Sequence, residues 1–171
     1  MNKLSSYIRD IQDFPKPGIV FKDITPLLQD PEGLDHCLHN LCERIGPIKV
    51  DKVVGMESRG FLFGPLLAKE YNAGFVPVRK KGKLPYKVVS KNYDLEYGSA
   101  ALEIHIDAIK KGERVLVHDD VLATGGTAKA TCELIEQLGG VVVHCNFIIA
   151  LEFLNGREQI ANYDMSAALY Y

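Results

Sequence analysis

The sequence predicts an α/β, doubly wound fold, a mostly parallel sheet with helices on both faces, and three observations carry that prediction. Apolar runs rich in β-branched residues recur at KVVGM (52–56), GFVPVRK (74–80), ERVLVHDD (113–120) and VVVHCNFIIAL (141–151). Helical segments of about three turns alternate with them, from about Phe61 to Tyr71 and from about Thr127 to Leu138. The 171 residues form one domain, 1–171, long enough to bury roughly 70% of the surface an unfolded chain exposes.

Taken in order, Leu4, Tyr7, Ile8 and Ile11 fall on one face of a short N-terminal helix, which the prolines of FPKPG end. Asp30 and Pro31 read as the N-cap and first position of a second helix. Leu34, Leu38, Leu41 and Ile45 give it a buried stripe, and Gly46-Pro47 stops it. After GFVPVRK comes KGKLPYKVVSKNYDL, long, basic and weakly periodic, which is either a hairpin excursion or a mobile flap over 80–95.

Composition excludes several classes. Twenty Lys and Arg against 22 Asp and Glu leave a formal charge of -2, without the basic footprint of a nucleic-acid binder. The start, MNKLSSYIRDIQDF, has no apolar h-region, and no run reaches the roughly 20 apolar residues of a membrane span, so a soluble cytoplasmic protein is expected. Cys37, Cys42, Cys132 and Cys145 contain no C-x-x-C pair and are expected to be buried thiols. His36 and His39 flank Cys37 at helical spacing but lack the further ligands of a zinc site.

The chemistry concentrates in VLVHDDVLATGGTAKA (115–130): an apolar strand, two adjacent carboxylates, a turn rich in Gly and Thr, then a helix. In an open α/β sheet, ligands bind outside the carboxyl ends of the strands. Gly125 and Gly126 allow positive φ and close approach, while Thr124 and Thr127 offer hydroxyls at the positive end of a helix. That is a phosphate cradle. Neither G-x-x-x-x-G-K-[ST] nor G-x-G-x-x-G is present. Carboxylates beside a phosphate site suit sugar hydroxyls or a ligand-borne Mg²⁺, so the set describes a phosphorylated sugar.

At 115–127 the sequence resembles the type I phosphoribosyltransferases, whose signature is an apolar strand, two acidic residues and a Thr-Gly-Gly-Thr-like turn. Three further blocks, PGIVFKDITPLL (17–28), GMESRGFLFGPLLA (55–68) and LEYGSAALEIH (95–105), resemble the adenine-using branch of that family. The resemblance implies purine salvage: transfer of the 5-phosphoribosyl group from phosphoribosyl pyrophosphate to adenine, giving AMP and pyrophosphate. It implies Mg²⁺ carried mainly by the substrate, with no direct protein site, and a homodimer.

Residue by residue, the resemblance gives the 5-phosphate to Ala123, Thr124, Gly125, Gly126 and Thr127, and the ribose hydroxyls to Asp119 and Asp120. Glu57, Ser58, Arg59 and Gly60 resemble the pyrophosphate loop, Arg59 suiting phosphate by its planar donors. Arg79, Lys80, Lys81 and Lys83 bring further positive charge there. Val20, Phe21 and Lys22, within an N-terminal base-binding segment 1–30, resemble the purine-reading segment. Glu96 contacts the base during transfer and Tyr97 closes the site as part of the lid. Catalysis is thus expected from Glu96, Arg59, Asp119 and Asp120. Two departures stand out: Lys22 where Arg is expected, and His118 where an apolar residue precedes the acidic pair. Another base (hypoxanthine, xanthine or orotate), or a nucleotide-sensing regulator on the same fold, are the alternatives.

Overall fold

The computed structural model describes residues 3–94 and 99–171, and the chain divides into two compact units, Met1–Asn40 and Leu41–Tyr171. In the first, a 3-10 helix over Lys3–Tyr7 leads into a two-stranded hairpin, β1 (Arg9–Gln12) and β2 (Val20–Asp23), in antiparallel register with Ile11 opposite Phe21. The expected N-terminal helix through Ile11 is therefore corrected. The backbone at 9–12 pairs with 20–23 rather than with its own preceding turn, a tertiary partner that periodicity does not see. Arg9 closes the hairpin by donating to Asp23 at 2.6 Å. The short α1 (Thr25–Leu28) follows, then α2 (Pro31–Ile45), which starts at the predicted proline and crosses the division between the units. Gly33 N–H is capped by Asp30 at 3.0 Å, as an N-cap aspartate should. Gly33, Cys37, Leu41 and Ile45 are the buried positions of α2, while Leu34 and Leu38 are only half-buried.

The second unit is a seven-stranded sheet flanked by helices. Its strands are β3 (Lys52–Met56), β4 (Gly74–Lys80), β5 (Val88–Asp94), β6 (Ser99–His105), β7 (Arg114–Leu122), β8 (Val141–Ala150) and β9 (Met165–Tyr170), in the order β5-β6-β4-β3-β7-β8-β9. Neighbours from β4 to β9 run parallel, while β6 pairs antiparallel with both β4 and β5. The basic segment after β4 is thus a hairpin excursion whose return strand is β6.

Between the parallel strands lie α3 (Gly60–Glu70), α4 (Gly126–Gln137) and the short α5 (Gly156–Gln159). Side chains alternate across a strand, so Val117 and Cys145 share one face and His118 and Asn146 the other. Phe63 of α3 lies edge-on to His118, and Cys132 of α4 meets Cys145, Sγ to Sγ 3.7 Å. The two helices therefore cover opposite faces, which is the double winding. From β3 the chain crosses outward to β4, and from β7 it crosses the other way to β8. The reversal falls between β3 and β7, where open α/β sheets bind ligands.

The core is built from Val54, Val78, Leu102, Ile104, Val117, Leu134, Ile135 and Phe147, all essentially inaccessible. Cys37, Cys132 and Cys145 are buried and Cys42 half-buried, all as free thiols. Among the described residues no helix is long and apolar enough to cross a membrane.

Candidate active site

Two loops meet at the reversal point. The first, after β3, carries Glu57, Ser58 and Arg59 into the N-terminus of α3 at Gly60. The second, after β7, carries Ala123, Thr124 and Gly125 into α4 at Gly126. The expected strand, 113–120, ends on Asp119 and Asp120. They sit inside β7, which continues to Leu122 because Val121 and Leu122 still pair with Ile149 and Ala150 of β8.

Close approach at this point depends on glycine. A Cβ at Gly60 would stand 2.8 Å from Asp119 Oδ1 and 2.9 Å from the His118 carbonyl, so only glycine lets α3 start against the acidic strand. Gly125 is the N-cap of α4 and takes φ +83, in the left-handed region; Gly126, expected to share that freedom, is already helical. The loop is backed by a residue that sequence reasoning missed: a Cβ on Gly156 would lie 2.0 Å from the Ala123 carbonyl oxygen. The Asn-Gly pair at 155–156 was its available signal. Asp119, Ala123, Thr124, Gly125 and Thr127 line a small cavity of about 70 Å³.

The acidic pair is electrostatically loaded. Burial pushes the Asp119 carboxyl well above the ordinary range, and the adjacent Asp120 charge pushes the same way. Burial also raises Asp120, opposed by the Arg59 guanidinium, whose Nε lies 2.5 Å from Asp120 Oδ2. Asp119 Oδ1 accepts the Asp120 backbone N–H at 2.9 Å. His118 bonds to Asn146 rather than to either acid: its Nδ1 meets Asn146 Oδ1 at 3.3 Å, and burial lowers its pKa to about 4.

Glu57 is acceptor-only, and it gathers cations instead of meeting an anion. Its carboxylate takes the Lys80 N–H at 3.0 Å, approaches Arg79 Nε at 3.4 Å and pairs with the Lys83 ammonium. Burial would raise its pKa, but these hydrogen bonds and charges hold it below the ordinary range. Of the residues expected at the site, the structure thus brings Glu57, Arg79, Lys80 and Lys83 together, and Arg59 with Asp120.

Val20, Phe21 and Lys22 lie on β2 of the first unit. Phe14 meets Phe21 edge-on at 5.2 Å between ring centroids, and the Lys22 ammonium pairs with Asp10 at 2.7 Å. Glu96 and Tyr97 lie outside the described residues.

The chain matches the phosphoribosyl transferase domain over residues 23–165. It is 63% identical over 169 residues to the adenine phosphoribosyltransferase of Flavobacterium johnsoniae, covering 99% of each chain. To that of Christiangramia forsetii it is 58% identical, again over 99% of each. Its structure superposes on the adenine phosphoribosyltransferase of Thermoanaerobacter pseudethanolicus with TM-score 0.96 at 46% identity, covering 99% of this chain and 98% of that one. For the Saccharomyces cerevisiae enzyme, crystallised with an imino-altritol bisphosphate and adenine, the TM-score is 0.92 at 40% identity, covering 97% and 96%. With the acidic pair, the glycine turn and the loop after β3 assembled at one reversal point of the sheet, the chain belongs to the adenine phosphoribosyltransferase family.

Proposed function

We propose that this chain transfers the 5-phosphoribosyl group of phosphoribosyl pyrophosphate to adenine, releasing AMP and pyrophosphate, a purine-salvage reaction. The observation that carries the reading is the joining of the two loops: Arg59, from the loop after β3, ion-paired with Asp120 of β7, five residues before the left-handed Gly125.

In this reading Ala123, Thr124, Gly125, Gly126 and Thr127 hold the 5-phosphate by backbone donors and hydroxyls at the positive end of α4. Asp119 and Asp120 accept from the ribose hydroxyls, which gives partners to a buried pair of which only Asp120 has a guanidinium beside it. Arg59, with Arg79, Lys80 and Lys83, meets the departing pyrophosphate; Glu57 keeps those last three gathered. The transfer needs no protein nucleophile. Positioning of two substrates, charge stabilisation and exclusion of water lower the barrier at the anomeric carbon. Mg²⁺ brought by the substrate would neutralise phosphate charge. The hard oxygens of Asp119 and Asp120 fit beside such an ion, and no described group of three or more ligating side chains forms a cage for it.

Val20, Phe21 and Lys22 read the purine, Lys22 through its backbone, since its ammonium is already engaged by Asp10. Glu96 and Tyr97, on a lid spanning 80–95 and the residues after it, take their roles from the family resemblance. The chain works in the cytoplasm as a homodimer, a reading supported by Leu62 and Leu66, one turn apart on α3 and 44% and 37% exposed.

The test is pyrophosphate release from phosphoribosyl pyrophosphate and Mg²⁺ with adenine, guanine, hypoxanthine, xanthine and orotate supplied separately. Release with adenine alone is expected. Release with another base moves the specificity, and release with none overturns the reading.

A further inference from the structure

The basic turn between β4 and β5 is held from two sides by carboxylates, and only Glu57 belongs to the loop after β3 described above. The second is Glu103 of β6, 6% exposed and directly opposite Arg79 in the β4–β6 register. It accepts the backbone N–H of Gly82 at 2.8 Å and the Ser90 hydroxyl at 3.0 Å. Among the described residues Glu103 forms no ion pair within 4.0 Å, so a buried carboxylate rests on neutral donors, an arrangement that is expensive in desolvation.

What that carboxylate accomplishes is visible in the turn. Gly82 stands at φ +81, so its N–H is delivered by a conformation that only glycine adopts without strain. Lys80 N–H goes to Glu57 at 3.0 Å, Lys81 N–H to the Ala101 carbonyl at 3.1 Å, and Gly82 N–H to Glu103. Three successive backbone donors are committed within the protein, and Arg79 Nη1 donates across the turn to the Lys83 carbonyl at 3.2 Å. An anion arriving here meets a shaped set of cationic side chains, not an amide cradle.

We propose that Glu103 is a positioning residue for the pyrophosphate: it touches no substrate, and it sets the 79–83 turn so that Arg79 and Lys83 converge on the anion. The inference rests on the reading of those cations as the pyrophosphate group's partners.

The test is steady-state kinetics of the reverse reaction, AMP with pyrophosphate, for Glu103→Ala, Glu103→Gln and Ser90→Ala, with Tm measured for each. Glu103→Ala is expected to raise KM for pyrophosphate about tenfold and to leave KM for AMP within about twofold, the scale of one lost charged hydrogen bond. Glu103→Gln should restore most of the affinity. Its amide oxygen still accepts from Gly82, and its NH₂ donates to a Ser90 hydroxyl that can reverse its bond. Should the alanine variant fail to fold, Ser90→Ala must show the same split at smaller amplitude. Equal changes in both KM values, an unchanged pyrophosphate KM, or no rescue by glutamine overturns the proposal. Arg79→Met with Lys83→Met separates the two levels. If removing the cations leaves pyrophosphate KM unchanged, the underlying assignment fails; if it raises KM while Glu103→Ala does not, only the positioning role fails.

Discussion

Arg59 Nε lies 2.5 Å from Asp120 Oδ2, joining the loop after β3 to the interior of β7. Asp120 is only 4% exposed, so the contact works in a medium where charge is weakly screened. The neighbouring Asp119 has no equal compensation. Burial and the Asp120 charge both oppose its ionisation, and the fold carries that cost at the point where sugar hydroxyls are proposed to bind.

The two acids should therefore respond differently in stability. Asp119→Asn keeps an oxygen for the Asp120 N–H and removes the repelled charge, so Tm should rise while turnover falls at least about tenfold. Asp120→Asn removes the partner of Arg59, so turnover should fall without a gain in Tm. Thermal melts and initial rates on both variants check this; wild-type rates in either would remove the acids from the mechanism.

Gly156→Ala should damage the proposed 5-phosphate loop from behind. Its Cβ would lie 2.0 Å from the Ala123 carbonyl, forcing backbone to move, with an expected stability loss of about 1–3 kcal/mol and a higher KM for phosphoribosyl pyrophosphate. Gly112→Ala is the control. Its φ of +82 is also strained for alanine, yet nothing stands within 4 Å of the new Cβ, so about 1 kcal/mol should be lost with KM unchanged. Equal KM effects in the two variants would mean that Gly156 does not shape the loop.

His118 should make the protein acid-labile in a defined window. Its pKa falls from 6.5 to about 4 on folding, chiefly through burial. Between those values the unfolded chain takes up a proton that the folded chain refuses. This contribution to stability is complete above pH 6.5 and is lost as pH falls toward 4, amounting to about 2 kcal/mol between pH 7 and pH 5. His118→Val should abolish that component, seen as a smaller drop in urea-unfolding free energy from pH 7 to pH 5. An identical drop in the variant would assign the acid lability elsewhere.

Much of the site was legible because its chemistry is local. A strand of apolar residues, two carboxylates, a left-handed glycine and a helix start follow one another within 115–130, and the physical demand on each residue comes from its immediate neighbours. The strands at 52–56 and 74–80 were likewise readable from β-branched content, and their ends match. Less legible was β9, whose MSAALY is small and weakly β-forming; it is a strand because β8 offers it a parallel edge. Ile11 was misread for a related reason, since its pairing partner lies ten residues away at Phe21.

By itself the sequence determined the alternating α/β class, the Gly- and Thr-rich turn at the start of α4, and the presence of acids and cations suited to a phosphorylated sugar. Only the tertiary structure decided which of those charges meet: that Arg59 takes Asp120, that Glu57 gathers Arg79 and Lys83, that Glu103 ties Gly82, and that Gly156 backs Ala123. A residue's type and spacing state what it can bond to, but the choice among equally able partners is made by sheet order and register, which bring together positions far apart in the chain.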